Sequence, residues 1–275
     1  MSYFKALGLE KEPFSTSPDP EFFYKSKDHQ SALSRLEIAI RLKRGLNLIL
    51  GDVGTGKTTL GRILVQRFNK EGNFIFHLML DPGHKSEYLF LQNVCKMFGI
   101  KGNLRSSIDF QDAIKDYLFE KGVKEKKTIV LLIDEGQKLS LPLLEILRIF
   151  LNYETNEYKL LQLVILAQLE IIPKVERVKN FNDRINLKYS INPFDESETA
   201  EMIYYRLKKA GYKGNSPLFE KDAVQSIYNH TKGYPRQISL LCHNCLEYLV
   251  MHDKSSVSKD LVKILIDEDR KINGK

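Results

Sequence analysis

The chain has 275 residues, 43% of them apolar and 28% charged, and its 42 basic and 35 acidic side chains give a net charge of +7. This size and balance indicate a globular protein of one large domain or two smaller ones. The longest apolar runs, such as 129–133 and 163–167, are too short to cross a bilayer, and the N-terminus lacks the features of a signal peptide. We therefore expect a cytoplasmic protein without a membrane span.

The first part of the chain alternates predicted strands with predicted helices. Residues 1–30 are rich in Pro and Phe, and we interpret them as an ordered arm packed on the domain. The predicted strands cover 46–50, 73–80, 128–133, 160–167 and 185–191. Apolar residues at helical spacing predict helices over 29–44, after residue 58, and over 86–98, 108–121 and 141–152. This alternation implies an α/β fold with a parallel five-stranded sheet that helices cover on both faces.

The pattern changes after residue 195. The segments 196–211, 218–232, 235–252 and 258–270 all have helical periodicity, with no strand between them. We therefore predict an α/β domain over residues 1–195 and a small all-helical domain over 196–275.

Cys242 and Cys245 have the C-x-x-C spacing of a redox pair or of half a zinc site. Their segment has the pattern of an amphipathic helix, and no second pair of ligands occurs elsewhere in the sequence. The alternative is that they are two small apolar residues one turn apart, and this alternative is favoured.

Residues 51–58 match the phosphate-binding P-loop G-x-x-x-x-G-K-[ST]. The motif follows a predicted strand and precedes a predicted helix, as the P-loop requires. Its glycines let backbone N–H groups turn toward a polyphosphate at the helix N-terminus, Lys57 can reach the β- and γ-phosphates, and the Thr58 hydroxyl can bind Mg²⁺. The predicted nucleotide-binding residues are Gly51, Asp52, Val53, Gly54, Thr55, Gly56, Lys57, Thr58 and Thr59.

An acidic pair, Asp134 and Glu135, directly follows the buried run 129–133. Open parallel sheets bind ligands at the carboxyl ends of their strands, so this position aims the pair toward the phosphates. Asp134 is a candidate ligand of Mg²⁺, and Glu135 is a candidate to orient and polarise the attacking water. The alternative is a solvated loop.

Three polar residues stand where they can complete hydrolysis. Gln168 ends the fourth strand, beside Asp134 in the expected sheet, and Arg184 directly precedes the fifth. Arg236 follows Pro235, which starts a helix. Arginine stabilises the charge that develops on a transferring phosphoryl group. Each of the three is equally well interpreted as a surface residue.

These motifs together resemble the AAA+ ATPases, and more narrowly the ATPases of the ExeA, or general secretion pathway protein A, type. The resemblance runs nearly from end to end of the chain. It rests on Pro13-Phe14, Ser17–Tyr24, His29, Ala32-Leu33, Gly51–Thr59, Leu131–Gln137, Leu144–Asn152, Glu154-Thr155, Gln162–Ile165, Asp183–Ile185 and Gly233–Ile238.

The resemblance implies a role for each candidate. Asp134 and Glu135 match the Walker B pair, and Gln168 matches sensor 1. Arg184 matches the arginine finger, which acts on the nucleotide of a neighbouring subunit, with Arg177 as the next candidate. Arg236 matches sensor 2 on a helical lid formed by 196–275. The arm around Phe23, Tyr24 and His29 would help to form the adenine pocket, although plain core packing explains these residues equally well.

The sequence also departs from the family. At Gly136 the family usually has Ala, a difference that we interpret as minor. After the fourth strand it usually has Gly-Gln-Pro-Glu-Leu, where this chain has Ala167-Gln-Leu-Glu-Ile171. Secretion members continue into a membrane span and a periplasmic peptidoglycan-binding domain, so we expect this sequence to be either a stand-alone ATPase or the ATPase domain of a longer protein.

The first functional hypothesis is therefore a Mg²⁺-dependent ATPase that works as a homo-oligomeric ring or filament and remodels or positions a protein partner, an assembly of the secretion or envelope-machinery type. The alternative is an ATP-dependent DNA-binding regulator of the transposition or replication-initiator type, since a spread charge of +7 permits DNA binding without indicating it. A metabolic kinase is a weaker hypothesis because the sequence shows no acceptor site.

Overall fold

The computed structural model describes residues 2–214 and 216–272, so Met1, Asn215 and 273–275 of the predicted domains lie outside the described residues. The strands are β1 (Leu46–Leu50), β2 (Phe74–Met79), β3 (Thr128–Ile133), β4 (Leu161–Ala167) and β5 (Ile185–Ser190). They form one sheet in the order β2-β3-β4-β1-β5, and every pair in it is parallel. The predicted parallel five-stranded sheet is confirmed.

The helices are α1 (Tyr3–Ala6), α2 (Lys27–Arg41), α3 (Lys57–Phe68), α4 (Glu87–Phe98), α5 (Ser107–Phe119), α6 (Leu141–Phe150), α7 (Ile172–Arg177), α8 (Glu196–Lys209), α9 (Lys221–Thr231), α10 (Pro235–Met251) and α11 (Lys259–Ile272). Within the described ranges, none of them is both long enough and apolar enough to cross a bilayer. The helical character predicted for the C-terminal part of the chain is confirmed.

The three central strands explain the apolar runs in the sequence. Every residue of β1, β3 and β4 is buried, because a parallel strand inside the sheet has both of its faces covered. Leu50 pairs with Ala167, and Ile133 pairs with Ile165. The carboxyl ends of β1, β3 and β4 therefore meet at one edge of the sheet, which we call the carboxyl edge.

Helices cover both faces of the sheet, and strand side chains alternate between those faces. Alternate residues of the central strands form one apolar core with α4, α5 and α6. On the other face α3 comes very close, since a Cβ added to Gly61 would lie 2.9 Å from Leu166 Cδ1 and 3.3 Å from Leu132 Cδ1. Glycine at position 61 thus gives α3 the space to pack directly on β3 and β4.

The chain divides into two compact units. The sheet unit comprises Asp28–Val53 and Leu60–Ile191, and the helical unit comprises Met1–Lys27, Gly54–Thr59 and Asn192–Lys275. The helical unit has its own apolar core, which includes residues of the N-terminal arm and of α8 to α11. The arm therefore groups with the C-terminal helices, whereas the sequence boundaries assign it to the α/β domain. The division at residue 195 stays a prediction.

Arg206 of α8 explains why the arm belongs to the helical unit. Its Nε donates to the carbonyl oxygen of Phe22 at 3.1 Å, and its Nη1 donates to those of Pro13 at 3.4 Å and Ser15 at 3.2 Å. Burial lowers the pKa of Arg206 to about 10. A guanidinium buried in this way gives the arm three hydrogen bonds that the sequence does not reveal.

Cys242 and Cys245 are free thiols in the core of the helical unit. Burial raises the pKa of both thiols, that of Cys245 to about 12. Buried, protonated thiols in an apolar core are inert, so their interpretation as small apolar residues is confirmed.

Candidate functional site

The P-loop begins at the carboxyl edge of the sheet, where β1 ends. The backbone N–H of Gly51 donates to the carbonyl oxygen of Ala167 at 3.2 Å, which ties the start of the loop to the end of β4. Gly54 and Gly56 have φ angles of +83° and +95°, a conformation that side chains other than glycine rarely adopt. Lys57 opens α3 and is only 8% exposed. Two of the three glycines of the motif, Gly54 and Gly56, thus have a backbone conformation that favours glycine.

Within the helical unit, the start of α10 contacts the P-loop. The backbone N–H of Arg236 donates to the carbonyl oxygen of Gly54 at 3.3 Å, and a Cβ on Gly54 would lie 2.9 Å from the Cβ of Arg236. Gly233 has a φ of +77°, and its carbonyl oxygen accepts from the backbone N–H of Phe194 at 2.9 Å. Pro235 then begins the helix. These contacts hold Arg236 beside the glycine loop.

The residues of the loop fit a nucleotide and a divalent cation. The loop combines two glycines in the left-handed conformation, an ammonium group and a hydroxyl group at a helix N-terminus, and these suit a polyphosphate. Among the residues that the structure describes, no group of three or more His, Cys, Asp or Glu is placed to hold a metal. Mg²⁺ needs no such group, because it binds through one or two protein oxygens together with phosphates and water.

The acidic pair lies at the carboxyl edge, directly after β3. Asp134 is 4% exposed, and its backbone N–H donates to the carbonyl oxygen of Met79 at 2.8 Å. Its Oδ1 accepts the backbone N–H of Glu135 at 2.9 Å. Glu135 has φ 52° and ψ 37°, a left-handed conformation that strains a residue with a side chain. Backbone strain of this kind is often found at functional sites.

Gln137 is a residue of this site for which the sequence predicts no role. Its Nε2 donates to Glu135 Oε2 at 2.6 Å, and its Oε1 accepts the backbone N–H of Gln168 at 3.1 Å. Lys174 Nζ donates to the carbonyl oxygens of Gln137 at 2.5 Å and Leu139 at 3.1 Å. The sequence signal was the position of Gln137 two residues after Glu135, but a position alone does not reveal these partners.

The exchange of the family's usual Ala for Gly136 is not minor. A Cβ at Gly136 would lie closer than 3.0 Å to Ile165 Cγ2, at 3.2 Å from Ala167 Cβ and at 3.3 Å from the carbonyl oxygen of Leu166. All of these atoms belong to the buried strand β4. The turn after Glu135 therefore lies directly against β4, and glycine is the residue that fits there.

Arg184 is not brought together with the acidic pair within its own chain. It ends a 3₁₀ turn directly before β5, and Ile185 pairs with Leu46 at the start of β1. Because the strands are parallel, Arg184 lies at the edge of the sheet opposite to the acidic pair. Its half-buried guanidinium makes no hydrogen bond or ion pair with any residue in the described part of the chain. The structure therefore assigns Arg184 no task within its own sheet.

The aromatic residues of the arm are packed within the helical unit. Phe23 is 8% exposed. Tyr24 packs edge-on against Phe194 with 5.5 Å between ring centroids, and its hydroxyl donates to Glu201 Oε2 at 2.6 Å. Burial, followed by the hydrogen bond to Glu201, raises the pKa of Tyr24. His29 is fully buried in α2 of the sheet unit. Both interpretations of these residues, adenine pocket and core packing, stay open.

The sequence of this chain matches a family model and a curated relative. Residues 40–175 match the model of the AAA domain. General secretion pathway protein A of Aeromonas hydrophila is 32% identical over 247 residues, which cover 89% of this chain and 44% of the relative. The chain thus spans less than half the length of this curated relative.

Solved structures show the same fold at low identity. The Aeropyrum pernix ORC2 protein, solved in ADPNP–ADP complexes, superimposes with a TM-score of 0.66 at 16% identity, over 94% of this chain and 72% of that chain. The RuvB Holliday junction branch migration motor of Thermotoga maritima gives a TM-score of 0.59 at 16% identity, over 90% and 72%. The match to the AAA domain and the similarity to general secretion pathway protein A place the chain among the AAA ATPases of that type, whereas the solved structures show the shared fold alone.

Proposed function

We propose that the chain is a Mg²⁺-dependent ATPase that hydrolyses ATP to ADP and phosphate. The observation that carries the proposal is the complete P-loop, with Gly54 and Gly56 in the left-handed conformation. The loop starts from the carboxyl edge, the same edge at which Asp134 and Glu135 follow β3. A loop alone would bind a nucleotide, and the acidic pair adds the groups that hydrolysis requires.

Each residue has a proposed role. The amides of the P-loop and the ammonium of Lys57 bind the phosphates. Thr58 and Asp134 would hold Mg²⁺, which when bound would neutralise charge on the phosphates. Glu135 orients the attacking water and accepts its proton. Gln168 at the end of β4 and Arg236 at the start of α10 would donate to the phosphates, as sensors 1 and 2 do in this family.

Arg184 leads to the proposal of an oligomer. It stands at the opposite edge of the sheet from Glu135, and its side chain has no hydrogen-bond or ion-pair partner in the described chain. We propose that it acts on ATP bound to a neighbouring copy, in a ring or filament. The task of remodelling or positioning a protein partner, the cytoplasmic location and the alternative of DNA binding all stay predictions from the sequence.

The test is ATP hydrolysis and nucleotide binding by the purified chain, with Mg²⁺ and with EDTA. Wild type should hydrolyse ATP only with Mg²⁺. Lys57→Ala should lose nucleotide binding, and Glu135→Gln should keep binding but lose about 10²–10⁴-fold in turnover. Phosphate appearing at the same rate in Lys57→Ala as in wild type would contradict the proposal, and phosphate transferred to an added small molecule rather than to water would favour a kinase.

The oligomer is tested by mixing two inactive variants. Arg184→Ala should bind ATP without hydrolysing it, and Lys57→Ala should fail to bind it. In mixed assemblies, an Arg184→Ala site next to a Lys57→Ala subunit receives an intact arginine, so turnover should return when the two are combined. If Arg184→Ala alone hydrolyses ATP at the wild-type rate, the finger lies elsewhere and Arg177 is the next residue to test.

A further inference from the structure

Glu135 has an unusual conformation with a specific side-chain partner. Its backbone is left-handed, a conformation that residues with a side chain rarely adopt. Its carboxylate is half-buried and accepts a hydrogen bond from the amide of Gln137 at 2.6 Å. A hydrogen bond to a charged acceptor is stronger than one between neutral groups. The carboxylate therefore has one preferred orientation in the described structure.

A second hydrogen bond, made by the amide oxygen, fixes the orientation of the Gln137 amide. Its Oε1 accepts the backbone N–H of Gln168 at 3.1 Å. A carboxylate only accepts and a backbone N–H only donates, so these two partners together define which end of the amide is oxygen and which is nitrogen. Glu135 is thus connected through a single side chain to the carboxyl end of β4.

The backbone around Gln137 contacts both α7 and β4. Lys174 of α7 donates to the backbone carbonyl oxygens of Gln137 and Leu139, at 2.5 Å and 3.1 Å. Gly136 lies against β4 with no space for a side chain, and β4 is buried along its whole length. The backbone of the turn is therefore held on two sides, and the Gln137 side chain extends from a fixed base.

We propose that Gln137 is a positioning residue that aligns the Glu135 carboxylate for its work on the attacking water. The inference rests on the proposed function, and it goes further by assigning a task to a side chain that has no expected contact with the nucleotide. It also gives the end of β4 a second role, because a shift of the Gln168 backbone would move the Gln137 amide and, with it, the carboxylate. Gln137 thus makes hydrolysis sensitive to the position of β4.

The test compares Gln137→Met, which has nearly the same length and lacks both hydrogen bonds, with wild type. Loss of a hydrogen bond to a charged group predicts that kcat falls about 10–100-fold. The affinity for a nonhydrolysable ATP analogue should stay within about twofold of wild type, since no P-loop residue changes. Gln137→Asn, whose amide is one methylene too short, should behave like Gln137→Met. Gln225→Ala on the exposed surface of α9 is the matched control and should behave like wild type.

A double-mutant cycle then separates positioning from a general structural effect. If Gln137 acts through Glu135, adding Gln137→Met to Glu135→Gln should leave the residual single-turnover rate unchanged. The inference is overturned if Gln137→Met keeps a kcat within twofold of wild type, if its analogue affinity falls as much as its kcat, or if the two changes reduce the rate independently. An inactive wild type would instead overturn the proposed function.

Discussion

Substituting Gly136 by alanine adds one methyl group and tests the packing of the turn that carries Glu135. The added Cβ would lie closer than 3.0 Å to Ile165 Cγ2, and optimal carbon–carbon contacts are about 3.5–4.0 Å. The Ile165 methyl group cannot easily move away, because its side chain is fully buried in the central strand β4. The carbonyl oxygen of Leu166, at 3.3 Å, belongs to the same strand. The turn itself must therefore move, by about 1 Å.

Two magnitudes follow from this displacement. Overpacking a buried position costs about 1–3 kcal/mol, and a strand that cannot relax favours the upper half of this range. The midpoint of thermal unfolding should then fall by roughly 4–10 °C. The turn carries Glu135 and Gln137, and a misplacement of about 1 Å at a reacting centre can reduce turnover about 100-fold. Both stability and kcat should therefore fall in Gly136→Ala.

The assays are thermal unfolding followed by circular dichroism and steady-state ATP hydrolysis. Gly72→Ala is the matched control, because a Cβ at Gly72 meets no atom within 4 Å, and it should keep the wild-type stability and turnover. Ile165→Ala makes space for the new methyl group, so adding Gly136→Ala to that variant should cost less stability than adding it to wild type. If Gly136→Ala kept the wild-type unfolding midpoint and kcat, the added methyl group would fit beside β4 without displacing the turn, and the prediction would be wrong.

Three further predictions concern other parts of the molecule. Burial lowers the pKa of His77 to about 4. The folded state keeps His77 neutral, so the protein should lose stability as the pH falls from about 6.5 to 4. The urea midpoint of His77→Phe should therefore depend less on pH over this window than that of wild type. Arg206→Met should destabilise the protein by about 2–4 kcal/mol, because three carbonyl oxygens lose their donor, and limited proteolysis should cut the N-terminal arm sooner than in wild type. Arg236→Ala should weaken ATP binding about 10-fold in calorimetric titration while leaving the unfolding midpoint near that of wild type.

The sequence predicted the strands well because buried parallel strands are continuous apolar runs. The predicted 46–50 and 128–133 coincide with β1 and β3, and the other three strands differ from their predictions by one residue at one or both ends. Helix α7 was not predicted, since six residues are too few to show a helical period. The grouping of the N-terminal arm with α8 was also missed, because it depends on hydrogen bonds between residues more than 180 positions apart.

The candidate site also contains residues that the sequence predicts and residues that it does not. The P-loop and the acidic pair have fixed local spacing, so the sequence could predict them as motifs. The role of Gln137 depends on the end of a neighbouring strand, 31 residues along the chain. Spacing identifies groups that act directly on a ligand, but the side chains that orient those groups depend on tertiary contacts.

The packing of Gly136 explains why this chain differs from the usual family sequence at that position. Gly136 is not among the residues with positive φ, so its backbone conformation does not require glycine, and the need is for space beside Ile165. The absence of a side chain lets the turn lie directly on β4, and this brings the Gln137 amide to the backbone N–H of Gln168. In relatives with alanine at this position, the β4 residue that faces it should be smaller than isoleucine, or the turn should lie farther from the strand. Gly136 in the turn and Ile165 in β4 therefore fit each other. Substituting either residue alone should displace Glu135, which lies in the same turn.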